Sequence, residues 1–187
     1  MPETKRTPLP HLNHFYPTVA AVVTVRCGDR LNAMACAWHS ALSFRPPLYG
    51  VLISPKRFSY SLIIEAGAFA VNFLPFEKAE LIAAVGRNSG RDMDKFARFG
   101  IAVRPVPDAL APILQEAYAA YECRLVARHT CGDHDLFVGE IVRSHVDKRA
   151  FGEESVLDVG RVRPALYLGA DRYVTTSNAP PRHLPGR

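Results

Sequence analysis

The chain has 187 residues, 48% hydrophobic and 22% charged, with a formal net charge of +5 and a pI near 9.2. This length and composition fit one domain with a sizeable core; no stretch nears the roughly 20 apolar residues of a membrane helix, and MPETKRTPLP lacks an apolar signal core, so the expectation is a cytoplasmic protein with no membrane contact. Part of the positive charge sits at the ends, in Lys5, Arg6, Arg182 and Arg187; without a basic run interleaved with aromatics, the rest favours a small anionic ligand over nucleic acid.

Residues 18–26, TVAAVVTVR, are β-branched and read as a strand. Cys27-Gly28-Asp29-Arg30 supplies a turn, and Leu31 to about Trp38 is the second arm of a hairpin. Here Ala33, Ala35 and Ala37 alternate with Asn32, Met34, Cys36 and Trp38. A helix over 32–43 competes, because alanine is the best helix former, but the period of two favours a strand. Pro46-Pro47 ends the stretch. Tyr49–Ile53 is a short buried strand. Ser54-Pro55 reads as a cap with proline at the first helical position, opening a helix that runs to Ala66 and stops at Gly67.

Phe69–Leu74 is a strand, Glu77–Val85 a helix, residues 87–92 a polar loop, and Asp94–Phe99 one helical turn closed by Gly100. Tyr118–Thr130 and Leu136–Val146 form a long hairpin about Cys131-Gly132-Asp133-His134. Ala165–Leu168 and Tyr173–Thr175 suggest a last short one. Many strands joined by hairpin turns, with few short helices, favour a closed or partly closed β-barrel. The division expected is a tail at 1–14, one domain at 15–176 and a tail at 177–187.

Nucleophilic templates are missing: there is no GxSxG, HExxH, P-loop or strand-following GxGxxG. Cys27, Cys36, Cys123 and Cys131 contain no CxxC pair and read as free thiols, and His129-Thr-Cys131-Gly-Asp-His134 fits no zinc spacing. What remains is a place for a flat ligand. Small side chains let a ring approach the backbone, whose N–H and C=O groups can read its polar rim. Ser54, Lys56, Arg57 and Ser59 cluster at the start of the expected helix and suit a phosphate. A planar ring with a phosphate tail describes FMN. Tight packing is the competing account of the alanines.

The order of these pieces resembles the flavin reductase-like, FMN-binding split-barrel family, from about Phe15-Tyr16-Pro17 to Tyr173. The matching pieces are Asn32-Ala33-Met34 through Trp38, Ser43–Leu48, Ser54-Pro55-x-Arg57-x-Ser59-Tyr60 and Phe69-x-Val71-Asn72-x-Leu74. Further on come Asp94-Lys95-Phe96, Gly132-Asp133-His134, Phe137-x-Gly139-Glu140 and Tyr167-Leu168-Gly169. The resemblance implies a mainly β, Greek-key-like split barrel with a few short helices, homodimeric, with FMN near the dimer interface. It places Asn32, Ala33, Met34, Ala37, Trp38 and Ser43 along the ring and ribityl chain. It puts Ser54, Arg57 and Ser59 on the phosphate or ribityl oxygens, Asn72 behind the ring through its strand backbone, and Lys95, His134 and Tyr167 among the flavin contacts. The activity implied is an NAD(P)H-dependent flavin reductase, with NADH or NADPH as donor and FAD as an alternative flavin substrate. A partner monooxygenase or other electron acceptor would follow. A flavoredoxin-like electron carrier or sensor is the alternative, and a structural or heme-binding split barrel the second.

Overall fold

The computed structural model describes residues 16–152 and 154–177; the expected tail 1–14, all but the first residue of the expected tail 177–187, the four basic residues named in them, and Phe15 lie outside these. The hairpin turns of the sequence build a seven-stranded antiparallel sheet. Its strands are β2 (Ala21–Cys27), β3 (Arg30–Cys36), β4 (His39–Phe44), β5 (Pro47–Ile53), β6 (Ala68–Phe73), β7 (Ala119–Cys131) and β8 (His134–Val146), in the spatial order β3-β2-β6-β7-β8-β5-β4. A second, three-stranded sheet joins β1 (Thr18–Val19), β9 (Leu166–Gly169) and β10 (Arg172–Val174) in the order β1-β9-β10. The large sheet curls until β3 lies against β5, but no ladder joins the two strands. The barrel is therefore split along a seam between β3 and β5, bridged near its end by the Leu52 N–H donating to the Trp38 carbonyl at 2.9 Å.

Both sides of β2 are covered, which explains its unbroken apolar run. Inside the barrel, Val23, Val25, Tyr49, Val51, Phe69 and Phe137 pack with Leu62 and Ile63 of α1 (Phe58–Ala66). Outside it, Val22, Ala33 and Ala70 pack with Ile82 and Val85 of α2 (Ala79–Arg87), Phe96 of α3 (Lys95–Phe99) and the segment Ala111–Leu114. The expected ends of α1 and α3 at Gly67 and Gly100 hold: both glycines have positive φ, 65° and 62°, and each N–H closes back on the last turn.

Three expectations change. The stretch 31–44 is a strand, as its period of two indicates, and not a helix; it breaks at Ala37-Trp38, and a second strand, β4, follows. β4 lies at the sheet's edge with mostly exposed side chains, so it carries no apolar alternation to announce it. Pro46 is cis and Pro47 opens β5, so the proline pair shapes a hairpin. Finally, α1 begins at Phe58 and not at Pro55, because the Ser54 carbonyl accepts the Arg57 N–H at 2.9 Å in a turn of its own. Arg57 then takes the cap position in extended conformation, and Ser54 caps nothing.

Candidate functional site at the open seam

Three adjoining cavities follow the seam, and all three are lined by Ala35 and Arg57. The first runs between the start of α1 and the loop after α2; Asn32, Ser59, Lys95 and the stretch Arg87–Arg91 line it. The second lies between the ends of β3 and β5, lined by Met34–Trp38, Leu52–Ser54, His134 and Tyr167. The third continues from Ala35–Ala37 to Gly86, Asp171, Tyr167 and Tyr173. One groove thus has a polar end and an aromatic end.

The polar end is strongly cationic. Lys56, Arg57, Arg87, Arg91 and Lys95 line it, and no carboxylate does. Only Arg87 among these five has an acidic partner among the described residues, Asp171 at 3.1 Å. Lys95 is 3% exposed and donates to the carbonyls of Ala33 and Val85, both at 2.7 Å. Burial, and then the charge of Arg57, lower its pKa to about 8. A buried ammonium that feels a second cation makes this end of the groove electropositive, an environment that favours an anion.

The floor is the free edge of β3. The Ala33 carbonyl faces away from β2, where Lys95 reaches it, and by the two-residue alternation the N–H and C=O of Ala35 turn the same way, into the groove. Small size here has two causes. Ala33 is fully buried in the core and lines none of these cavities. Ala35 both lines the groove and accommodates α2, since a Cβ on Gly86 would come within 3.1 Å of the Ala35 Cβ.

Asn32 is 2% exposed, and its Nδ2 donates to the Ser59 hydroxyl at 2.7 Å. Its Oδ1 is buried with no hydrogen-bond partner. A Cβ on Gly90 would stand only 2.2 Å from that oxygen, so glycine is what lets the loop close over it. At the aromatic end the Trp38 and His134 rings lie 4.9 Å apart, and His134 Nδ1 is 2.8 Å from Asp133 Oδ1, a bond that lowers the Asp133 pKa.

Of the residues singled out from sequence, Asn32, Met34, Ala37, Trp38, Ser54, Arg57, Ser59, Lys95, His134 and Tyr167 come together along this groove. Three do not. Asn72 is fully buried in a central strand, where its neighbours on both sides are β2 and β7. Its side chain donates to the Val22 carbonyl and the Thr24 hydroxyl and accepts from the Leu114 N–H, so neither its backbone nor its amide is available to a ring. Ser43 sits at the far end of β4, where its hydroxyl accepts from the Arg45 N–H. Ala33 contributes a carbonyl to Lys95 and its methyl to the core. Sequence reasoning passed over the 87–91 loop, Phe58, Gly86 and Tyr173. The signal available was a pair of arginines around Asn-Ser-Gly, a composition shared with ordinary solvated loops.

Comparison with known proteins decides the family. The flavin reductase like domain matches residues 12–177. The chain belongs to the flavin reductase-like family. An FMN-binding protein from Thermus thermophilus, solved with bound 1-cyclohex-2-enone, superposes with a TM-score of 0.82 at 39% identity, covering 95% of this chain and 98% of that one. A protein of Aeropyrum pernix is 35% identical over 84% of this chain, which spans only 59% of that longer relative. An NADH-dependent FMN reductase of Streptomyces nodosus subsp. asukaensis is 31% identical, over 79% of each. As a family member the chain is a mainly β split barrel of a flavin-associated family. No described helix is long and apolar enough to cross a membrane.

Proposed function

We propose that the chain is an FMN-binding oxidoreductase that uses a reduced pyridine nucleotide as electron donor. The observation that carries this reading is the cationic end of the groove, five basic side chains without a carboxylate, joined to a strand edge floored by Ala35. The residues fit the cofactor piece by piece. Arg57 and Lys95 hold the phosphate, with Ser59 offering its hydroxyl proton. Asn32 serves through Ser59, whose hydroxyl it fixes by donating from Nδ2 at 2.7 Å. The outward N–H and C=O of Ala35 read the polar rim of the ring, and Met34, Trp38, His134 and Tyr167 bound it and exclude water. When bound, FMN supplies the chemistry, accepting a hydride from nicotinamide and passing the electrons on. The chain's task is to bind, orient and desolvate, so no acid or base of its own is required.

The names of the Thermus and Streptomyces relatives support both the cofactor and the donor. A homodimer belongs to the same reading. Phe44 is 94% exposed and Leu42 45% exposed on the edge strand β4, apolar surface that a second copy would cover. Titrating the purified protein with FMN should give saturable calorimetric heats and a perturbed flavin spectrum, and NADH or NADPH should then bleach the visible bands under anaerobic conditions. Flavin that binds but is bleached by neither donor would leave a carrier; flavin that does not bind would remove the reading. Light scattering should report twice the monomer mass.

A further inference from the structure

The positive charge at the polar end exceeds what one flavin phosphate requires. Setting aside Arg87, which pairs with Asp171, four cations line that cavity. A phosphomonoester carries about −1.5 to −2 at neutral pH. The four divide by position. Lys95 is buried, with Arg57 near enough to lower its pKa, and these two form the inner pair. Lys56 and Arg91 are exposed, as Arg57 is, but they are tied to each other, the Arg91 guanidinium reaching the Lys56 carbonyl.

The outer pair is built in place. Arg91 Nη1 donates to the Lys56 carbonyl at 3.2 Å, the guanidinium lies 5.7 Å from the centre of the Phe58 ring, and the Arg91 N–H donates to the Ser89 hydroxyl at 3.2 Å. Each of these partners is neutral. The first two hold the guanidinium against the Lys56 backbone and the Phe58 ring and the third holds the Arg91 backbone, none of them cancelling the side chain's charge. The acid that feels Lys56 is Asp133, a solvent-exposed side chain already bonded to His134.

We propose that Lys56 and Arg91 form a second phosphate subsite at the mouth of the groove, which takes the 2′-phosphate of the dinucleotide donor and so favours NADPH over NADH. The inference rests on the flavin reading above. A 2′-phosphate is a terminal dianion with three free oxygens, matching a lysine point charge beside a forked guanidinium. The pyrophosphate common to NADH, NADPH and FAD carries one charge per phosphorus and offers less to such a pair.

The test uses the FMN-loaded protein at fixed ionic strength, with FMN affinity measured first. The expected result is a kcat/KM at least about tenfold higher for NADPH than for NADH, the ratio that one charge-assisted contact commands. Lys56→Gln with Arg91→Gln, assayed with the flavin site saturated, should erase that preference through the KM for NADPH, and its loss of FMN affinity should be much smaller than that of Arg57→Ala. In calorimetry 2′,5′-ADP should bind the wild type and not the double variant, and ADP-ribose, whose only phosphates form the pyrophosphate, should bind neither measurably. A wild type that prefers NADH, or equal losses for both donors, would overturn the subsite. So would a double variant whose loss of FMN affinity matches that of Arg57→Ala, since the pair would then belong to the flavin phosphate, or FAD binding that beats FMN and vanishes in the variant. A wild type that takes no FMN at all removes the flavin reading instead, and the 2′,5′-ADP titration still judges the subsite by itself.

Discussion

The closed wall of the barrel and its open seam treat buried polar groups in opposite ways. On the closed wall, Asn72 and Thr24 exchange hydrogen bonds with each other, with Val22 and with the Pro112 and Leu114 backbone. Glu122, also fully buried, accepts from the Leu110 N–H and stands 3.0 Å from His145 Nε2. Across the seam, among the described residues, Asn32 Oδ1 has no partner, Arg57 has no acid, and β3 has no neighbouring strand on one side. Polar groups on the wall are satisfied by the protein and serve the fold. On the proposed reading the seam groups left unmatched serve a ligand, and a buried asparagine in a strand stands on each side of that division.

The comparison can be broken most forcefully from the wall. Asn72→Ala orphans the Leu114 N–H and deprives Thr24 of a partner, a loss of about 2–4 kcal/mol. Chemical denaturation should show that loss, with the FMN affinity of the folded protein unchanged. At the seam the pattern should invert. Arg57→Ala should weaken FMN about tenfold to a hundredfold, equivalent to one charge-assisted hydrogen bond, while riboflavin affinity and apo stability stay where they were. Equal losses for FMN and riboflavin would show that Arg57 supports the pocket in some other way.

Lys95 belongs to both regions and sharpens the contrast through pH. Its folded pKa is about 8 against roughly 10.4 in an unfolded chain. Between those values the unfolded chain holds more protons, so this group makes apo stability rise with pH. FMN affinity should fall over the same interval, because the cation facing the phosphate is lost. Lys95→Met should flatten both profiles, and a wild type whose two profiles move in the same direction would contradict the assignment. The smallest effect is expected on the surface. Lys78 and Glu116 are 2.5 Å apart but substantially exposed, so Lys78→Gln should cost under about 1 kcal/mol in the same denaturation assay.

How far the sequence speaks follows the same division. The β-branched run of β2 and the glycines at 67, 100 and 132 declare strands, helix ends and a hairpin through local physics, and the structure has them there. Arg57 and Ser59 could be singled out because hydroxyls and cations cluster in this short stretch, and the structure places both on the first cavity. Asn72 was misread since its partner Leu114 lies 42 residues away, beyond any local pattern. The loop at 87–91 was overlooked because its role depends on Gly90 closing on Asn32, a contact that two polar segments far apart in the chain do not advertise.

The free edge of β3 has a consequence for the life of the chain before it is loaded. An unpaired strand edge is a template on which another chain can add a strand, and proteins guard such edges with charge. Here the guard is Lys95, whose ammonium occupies the Ala33 carbonyl, but Ala35 beyond it stays open. Apo protein held at moderate temperature should scatter light sooner than FMN-loaded protein at equal concentration, and Lys95→Met should shorten the delay. The flavin would then act as a cap on a sticky end, and its supply would set how much newly made chain escapes aggregation.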